Sequence, residues 1–111
     1  MSGADPQMLK GVLTLVLLEL LTRQEDYGYA LVVRLQEHGL DDLSEGTVYP
    51  ALSRLEAQGL LSARLVRSTA GPARKYYSVT PAGTEAKLRA RQDWIRLVRA
   101  VNSVVPLEET S

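Results

Sequence analysis

Apolar residues recur along the chain at two spacings, and the spacing changes just past its middle. Between residues 8 and 22, Leu9, Val12, Leu13, Val16, Leu17 and Leu20 keep a helical interval, while Leu15, Leu18 and Leu21 make a second stripe almost opposite. Such a helix must be covered on nearly all sides, which in a small chain calls for help from another subunit. A second helix is predicted over 27–38, with Asp26 as N-cap, Ala30, Leu31, Val33 and Leu35 facing the core, and Gly39 as its stop. A third runs through SEGTVYPALSRLEAQG, residues 44–59. Ser44 caps it, Glu45 suits the positive end of its dipole, Val48, Ala51, Leu52 and Leu55 form its buried face, and Gly59 ends it. The interval then drops to two. LLSARLVR (60–67) and RKYYSVT (74–80) alternate like strands, joined by STAGPA with its Gly71-Pro72 turn signal. Thr80 and Pro81 open a last helix over 82–105, about 35 Å long at roughly 1.5 Å per residue. The polar ends read as frayed.

Three helices, a two-stranded ribbon and a long helix, in that order, predict a mainly α (α+β) fold. Residues 1–80 have the outline of a winged helix-turn-helix, 81–105 that of a C-terminal dimerisation helix in the same compact unit, and 106–111 that of a disordered tail. In that outline the third helix enters the DNA major groove and the wing reaches the backbone. It also accounts for two helix breakers, Gly46 and Pro50, in the third helix. Without a Cβ, Gly46 lets a phosphate or base edge come close to the free N–H groups of the first turn. Pro50 gives up its bond to the Gly46 carbonyl, and a kink there would tilt Thr47, Tyr49 and Ser53 outward.

Charge sharpens this picture. The formal net charge is zero, yet 62–91 hold Arg64, Arg67, Arg74, Lys75, Lys87, Arg89 and Arg91 against Glu85 alone. A neutral chain can still present a basic face. With no cysteine and one histidine, His38, thiol chemistry and a multi-histidine metal site are excluded, and no cofactor is implied. His38 reads as a helix-end side chain favoured by the dipole. No nucleophile, base and orienting group cluster in the sequence, so no catalytic residue is assigned. The most apolar stretch, 12–21, is half the length of a membrane span, and the start lacks a basic signal. A cytoplasmic protein without a membrane partner is expected.

The strings YGYAL, LSEGTVYPALSRLEAQGL and GPARKYYSVTPAG resemble the PadR-family transcriptional regulators, in the same order and with similar spacing from Leu9 to about Leu88. With room for a single helix after the wing, the chain is similar to the short branch of that family. The resemblance implies a homodimer on an inverted-repeat operator, usually a repressor, in which the last helix packs on the partner's first helix. The dimer residues it implies are Leu9, Val12, Val16, Leu88, Trp94, Ile95, Val98, Val101 and Val105. For double-stranded DNA it implies Lys10, Tyr27, Ser44, Gly46, Thr47, Tyr49, Ser53, Arg54, Gly71, Arg74, Lys75 and Tyr76. Tyr29 either joins this set or packs in the core, and strand alternation places one of Tyr76 and Tyr77 inside.

Trp94 is the only tryptophan, in a chain without phenylalanine. It resembles the tryptophan with which multidrug-sensing members of the short branch stack planar aromatic ligands across the dimer, so Trp94, Val98 and Leu13 are the expected effector residues. The plainer reading is a tryptophan that fills the dimer interface. A competing function, a winged helix used as a protein-interaction module without sequence-specific DNA binding, is compatible with the neutral charge.

Overall fold

A computed structural model describes residues 6–106, the side chains of residues 6–8 and 10 apart. The elements run α1 (Pro6–Arg23), β1 (Asp26–Tyr27), α2 (Gly28–Glu37), α3 (Glu45–Ala57), β2 (Leu61–Val66), β3 (Arg74–Val79) and α4 (Pro81–Val104). All the helices and both wing strands expected from the sequence are present, with ends shifted by a residue or two. The segment 107–111, read as a tail, lies outside the described residues.

Two expectations around α2 are corrected. Asp26 does not cap the helix; it lies in β1, a strand too short for sequence periodicity to reveal, and Tyr27 occupies the cap position. β1 pairs antiparallel with β3, Asp26 opposite Tyr77 and Tyr27 opposite Tyr76, so the ribbon becomes a three-stranded sheet ordered β1-β3-β2. The buried face of α2 is Leu31, Val32 and Leu35, with Ala30 and Val33 only half-buried. Gly39 and Gly59 end α2 and α3 as expected, each with positive φ (84° and 78°) that a side chain would strain.

The core is leucine-rich. Leu17 and Leu18 of α1, Leu31 and Leu35 of α2, and Val48, Leu52 and Leu55 of α3 are completely or almost completely buried, closed on one side by Leu61 and Tyr77 of the sheet. Arg34 ties the first two helices. Its guanidinium donates to the carbonyls of Leu20 (2.9 Å) and Gln24 (3.2 Å) and pairs with Asp26 at 3.3 Å. Those carbonyls end α1, where a cation is favoured by unsatisfied acceptors and by the dipole. Asp26, the buried carboxylate, is further held by the N–H of Tyr27 (3.1 Å).

A second tie fixes α4 to the end of α3. The Thr80 hydroxyl donates to the Gly59 carbonyl (2.7 Å) and accepts from the Gly83 N–H (3.0 Å), the N-cap expected from sequence. Gly83 lies so close to Leu60 that a Cβ would sit 2.1 Å from its carbonyl oxygen. From this junction α4 runs back along α1, where Lys87 meets Glu19 at 3.3 Å. The Arg23 hydrogen bond, then Lys87, hold the Glu19 carboxyl below its ordinary range. Beyond that crossing α4 projects: the radius of gyration is 15.7 Å, against about 13 Å for a compact chain of this size.

Gly83→Ala is expected to destabilise the fold by about 1–3 kcal/mol, because the clash is with backbone and no rotamer relieves it. Urea unfolding followed by circular dichroism measures it.

Candidate nucleic-acid interface

The outward face of α3 carries both helix breakers, Gly46 and Pro50, within a continuous helix. Ser44 holds the cap position with extended backbone, but its hydroxyl makes no cap bond; its carbonyl instead accepts from Thr47 and Val48 (3.1 and 2.9 Å). A Cβ on Gly46 would meet nothing nearer than the Ser44 hydroxyl at 3.7 Å, so packing within the chain does not demand glycine there. The first turn is therefore open to a close approach from outside. Pro50, Ser53 and Arg54 are exposed, and Thr47 is half-buried. Gly46, Thr47, Pro50 and Arg54 share a recess with Leu13 of α1.

Tyr49 is positioned by a residue absent from the sequence expectations. Its ring lies on Gly28, where a Cβ would stand 2.6 Å from Cε1, so the glycine of YGY makes the seat for the tyrosine of TVYP. The ring stays 41 % exposed. Burial, then the nearby Glu45 carboxylate, push its hydroxyl above the ordinary tyrosine range. Tyr29 is exposed, and Tyr77 is the tyrosine that packs inside.

The wing separates residues that are neighbours in sequence. Tyr27, Arg64, Arg74 and Tyr76 share the outer face of the sheet, while Lys75 and Tyr77 are on the face toward α3. On the outer face the Arg74 guanidinium stacks over Tyr27 at 4.5 Å, and the Tyr27 and Tyr76 rings are 5.3 Å apart. Arg64 covers Tyr76 at 5.9 Å and pairs with Glu25, which raises its pKa. On the opposite face the exposed Lys75 pairs with Glu56 of α3 at 2.8 Å, and that hydrogen bond raises the lysine's pKa. Arg74 and Lys75 thus stand on opposite faces of the sheet. Glu25 and Glu56 were not foreseen, because their partners come from other elements. Gly71, at the exposed turn between the strands, has nothing within 4 Å of a Cβ. The Lys10 side chain lies outside the described residues.

A second region surrounds Trp94, which is 43 % exposed. On one side is a cavity of about 560 Å³ with Leu15, Val16, Leu20 and Leu40 as apolar lining and His38 and Arg91 among its polar groups. On the other, Val12, Leu15, Leu40 and Leu97 line a cavity of about 580 Å³. Leu13 lines neither. It is buried on the α3 side of α1, about 200° round the helix from Leu15, so within one chain Leu15 takes the place expected for Leu13. Leu9 is buried within the chain, Val12, Val16, Ile95 and Val98 are half-buried, and Leu88, Val101 and Val105 are exposed.

Gly28→Ala is expected to swing the Tyr49 ring outward and lower its hydroxyl pKa toward the ordinary value of 10.0. An NMR pH titration of ring-labelled tyrosine measures the shift.

Residues 17–89 match the transcriptional regulator PadR-like family. The transcriptional regulator Rv3488 of Mycobacterium tuberculosis is 43 % identical over 77 residues, which cover 69 % of this chain and 70 % of that one. The fold is similar to the crystal structure of a PadR-like transcriptional regulator from Bacillus cereus, with TM-score 0.81 and 39 % identity over 92 % of this chain and 99 % of the other. A PadR family regulator from Eggerthella lenta gives TM-score 0.82 and 32 % identity over 92 % and 88 %. With the open first turn of α3 beside a cationic wing, these likenesses establish that the chain belongs to the PadR-like family of DNA-binding transcriptional regulators.

Proposed function

We propose that the protein acts as a homodimeric repressor on an inverted-repeat operator and is released by a planar aromatic ligand at Trp94. The observation that carries the dimer is the projecting half of α4. Trp94, Leu97, Val101, Val104 and Val105 expose an apolar stripe there, Val104 at 80 %, and Gly83 is the one buried residue of the helix. A stripe of this length at helical spacing fits a second copy of the same surface under two-fold symmetry. Two-fold symmetry then supports a palindromic site, with one α3 entering each half-site through Gly46, Thr47, Tyr49, Ser53 and Arg54.

The ligand reading rests on Trp94 standing between two largely apolar cavities. Aromatic compounds stack on an indole face, and a ligand that bound one dimer geometry better than the other would shift the spacing of the two α3 helices. As a repressor, the DNA-bound form would be the ligand-free one.

Light scattering on the purified protein is expected to give a dimer mass, and Val101→Glu should shift it toward monomer and remove operator binding. Genomic DNA pulled down at two salt concentrations should yield a palindrome with half-sites about one helical turn apart, lost at the higher salt. A monomer mass or the absence of any enriched sequence would overturn this reading. Planar cationic dyes are expected to quench Trp94 fluorescence and release the DNA; an unchanged emission across the panel removes the effector claim alone.

A further inference from the structure

The cations of the sheet are not equivalent, and the difference bears on how the wing holds DNA. Lys75 is matched by Glu56 at 2.8 Å and Arg64 by Glu25, each pair joining the sheet to another part of the chain. Arg74 has no carboxylate partner among the described residues. Its guanidinium carbon instead lies over the Tyr27 ring, 4.5 Å from the centroid. That ring is itself supported by Tyr76 at 5.3 Å, opposite Tyr27 in the β1–β3 register, and the backbone of Tyr27 is fixed by the Asp26 carboxylate. The short strand β1 thus builds a platform beneath one arginine.

A guanidinium stacked on an aromatic ring keeps its in-plane N–H donors free, which suits it to phosphate oxygens, and the stacking removes rotamer freedom before DNA arrives. A lysine already paired with a carboxylate brings no net charge to the phosphates and releases no counterion unless the pair breaks.

We propose that Arg74, held by Tyr27, is the phosphate anchor of the wing, and that Lys75 is a latch that fixes the wing to the recognition helix through Glu56. The proposal rests on the DNA-binding reading above. Tyr27 is then a positioning residue, and Glu56 sets the angle between α3 and the sheet without touching DNA.

The test is fluorescence anisotropy of a labelled DNA duplex against salt, with thermal melting of each variant to confirm folding. A steep slope for the unaltered protein establishes phosphate binding independently of the division of labour. Arg74→Ala is expected to flatten the slope of log K against log salt by about 0.9 for each wing on the DNA, and Arg74→Lys to restore the slope with only part of the affinity. Tyr27→Leu should lower affinity severalfold with the slope kept. Lys75→Ala and Glu56→Gln should each leave the slope unchanged and lower affinity alike, and the double variant should be no worse than either. If Lys75→Ala flattens the slope as much as Arg74→Ala, or if Glu56→Gln raises affinity by freeing Lys75, the assignment is overturned. An unchanged slope in Arg74→Ala overturns it too.

Discussion

Everything in this fold depends on covering α1. The helix is apolar nearly all round, and its leucines can leave water only if other elements close on it from several directions. α3 and the sheet take one side, through Leu13, Leu17 and the packing of Tyr77, and α4 takes another. A domain of about 100 residues has few elements left once these are spent. α4 therefore does two jobs along its length. Its first turns lock onto the Gly59–Leu60 corner through Thr80 and Gly83, and its later turns leave the chain with the apolar stripe still uncovered. An apolar helix in the middle and an apolar stripe at the edge are one consequence of the same shortage of covering surface.

The charge distribution follows a similar logic. A formal charge of zero gives little reason to expect a polyanion as partner, and the pairing pattern explains why it is no obstacle. Glu19, Glu25, Asp26 and Glu56 are engaged with Lys87, Arg64, Arg34 and Lys75, ion pairs that join helix to helix, sheet to helix or, for Glu25, the link before β1 to β2. The exposed pairs among them add little stability individually, and each cancels its own charges rather than adding to the field that a phosphate backbone would meet. These four acids are thus engaged in the domain's own joints, while Arg54 and Arg74, without an ion pair among the described residues, stand exposed on α3 and the wing.

Sequence reasoning found what is periodic or punctuated. The α3 face of Val48, Ala51, Leu52 and Leu55, the glycine stops of α2 and α3, and the Thr80 cap of α4 all depend on residues within a turn or two of one another, and all stand as expected. What it missed depends on register between distant segments. β1 has two residues and exists only because β3 lies alongside it; the Gly28 seat for Tyr49 and the Lys75–Glu56 pair arise from contacts that no local spacing encodes. Asp26 shows the conflict directly. As a residue just before a helical run it is a natural N-cap, but Arg34, one face of α2 further on, offers a charged partner in a site shielded from water, and the carboxylate turns there.

The geometry of α1 also bears on how an event at Trp94 could be felt by DNA. Leu15 and Val16 line the cavities beside Trp94, whereas Leu13 lines the recess that holds Thr47, Pro50 and Arg54. Leu13 and Leu15 point to nearly opposite sides of one helix, so α1 touches both regions. Close-packed side chains transmit displacement rather than absorb it, and Leu17 and Leu18 of α1 are fully buried in that packing. A ligand wedged between Trp94 and Leu15 would therefore press α1 toward α3. In a dimer whose α4 helices meet on the symmetry axis, that small push would change the separation of the two recognition helices, the distance that an operator with fixed half-site spacing measures most sharply.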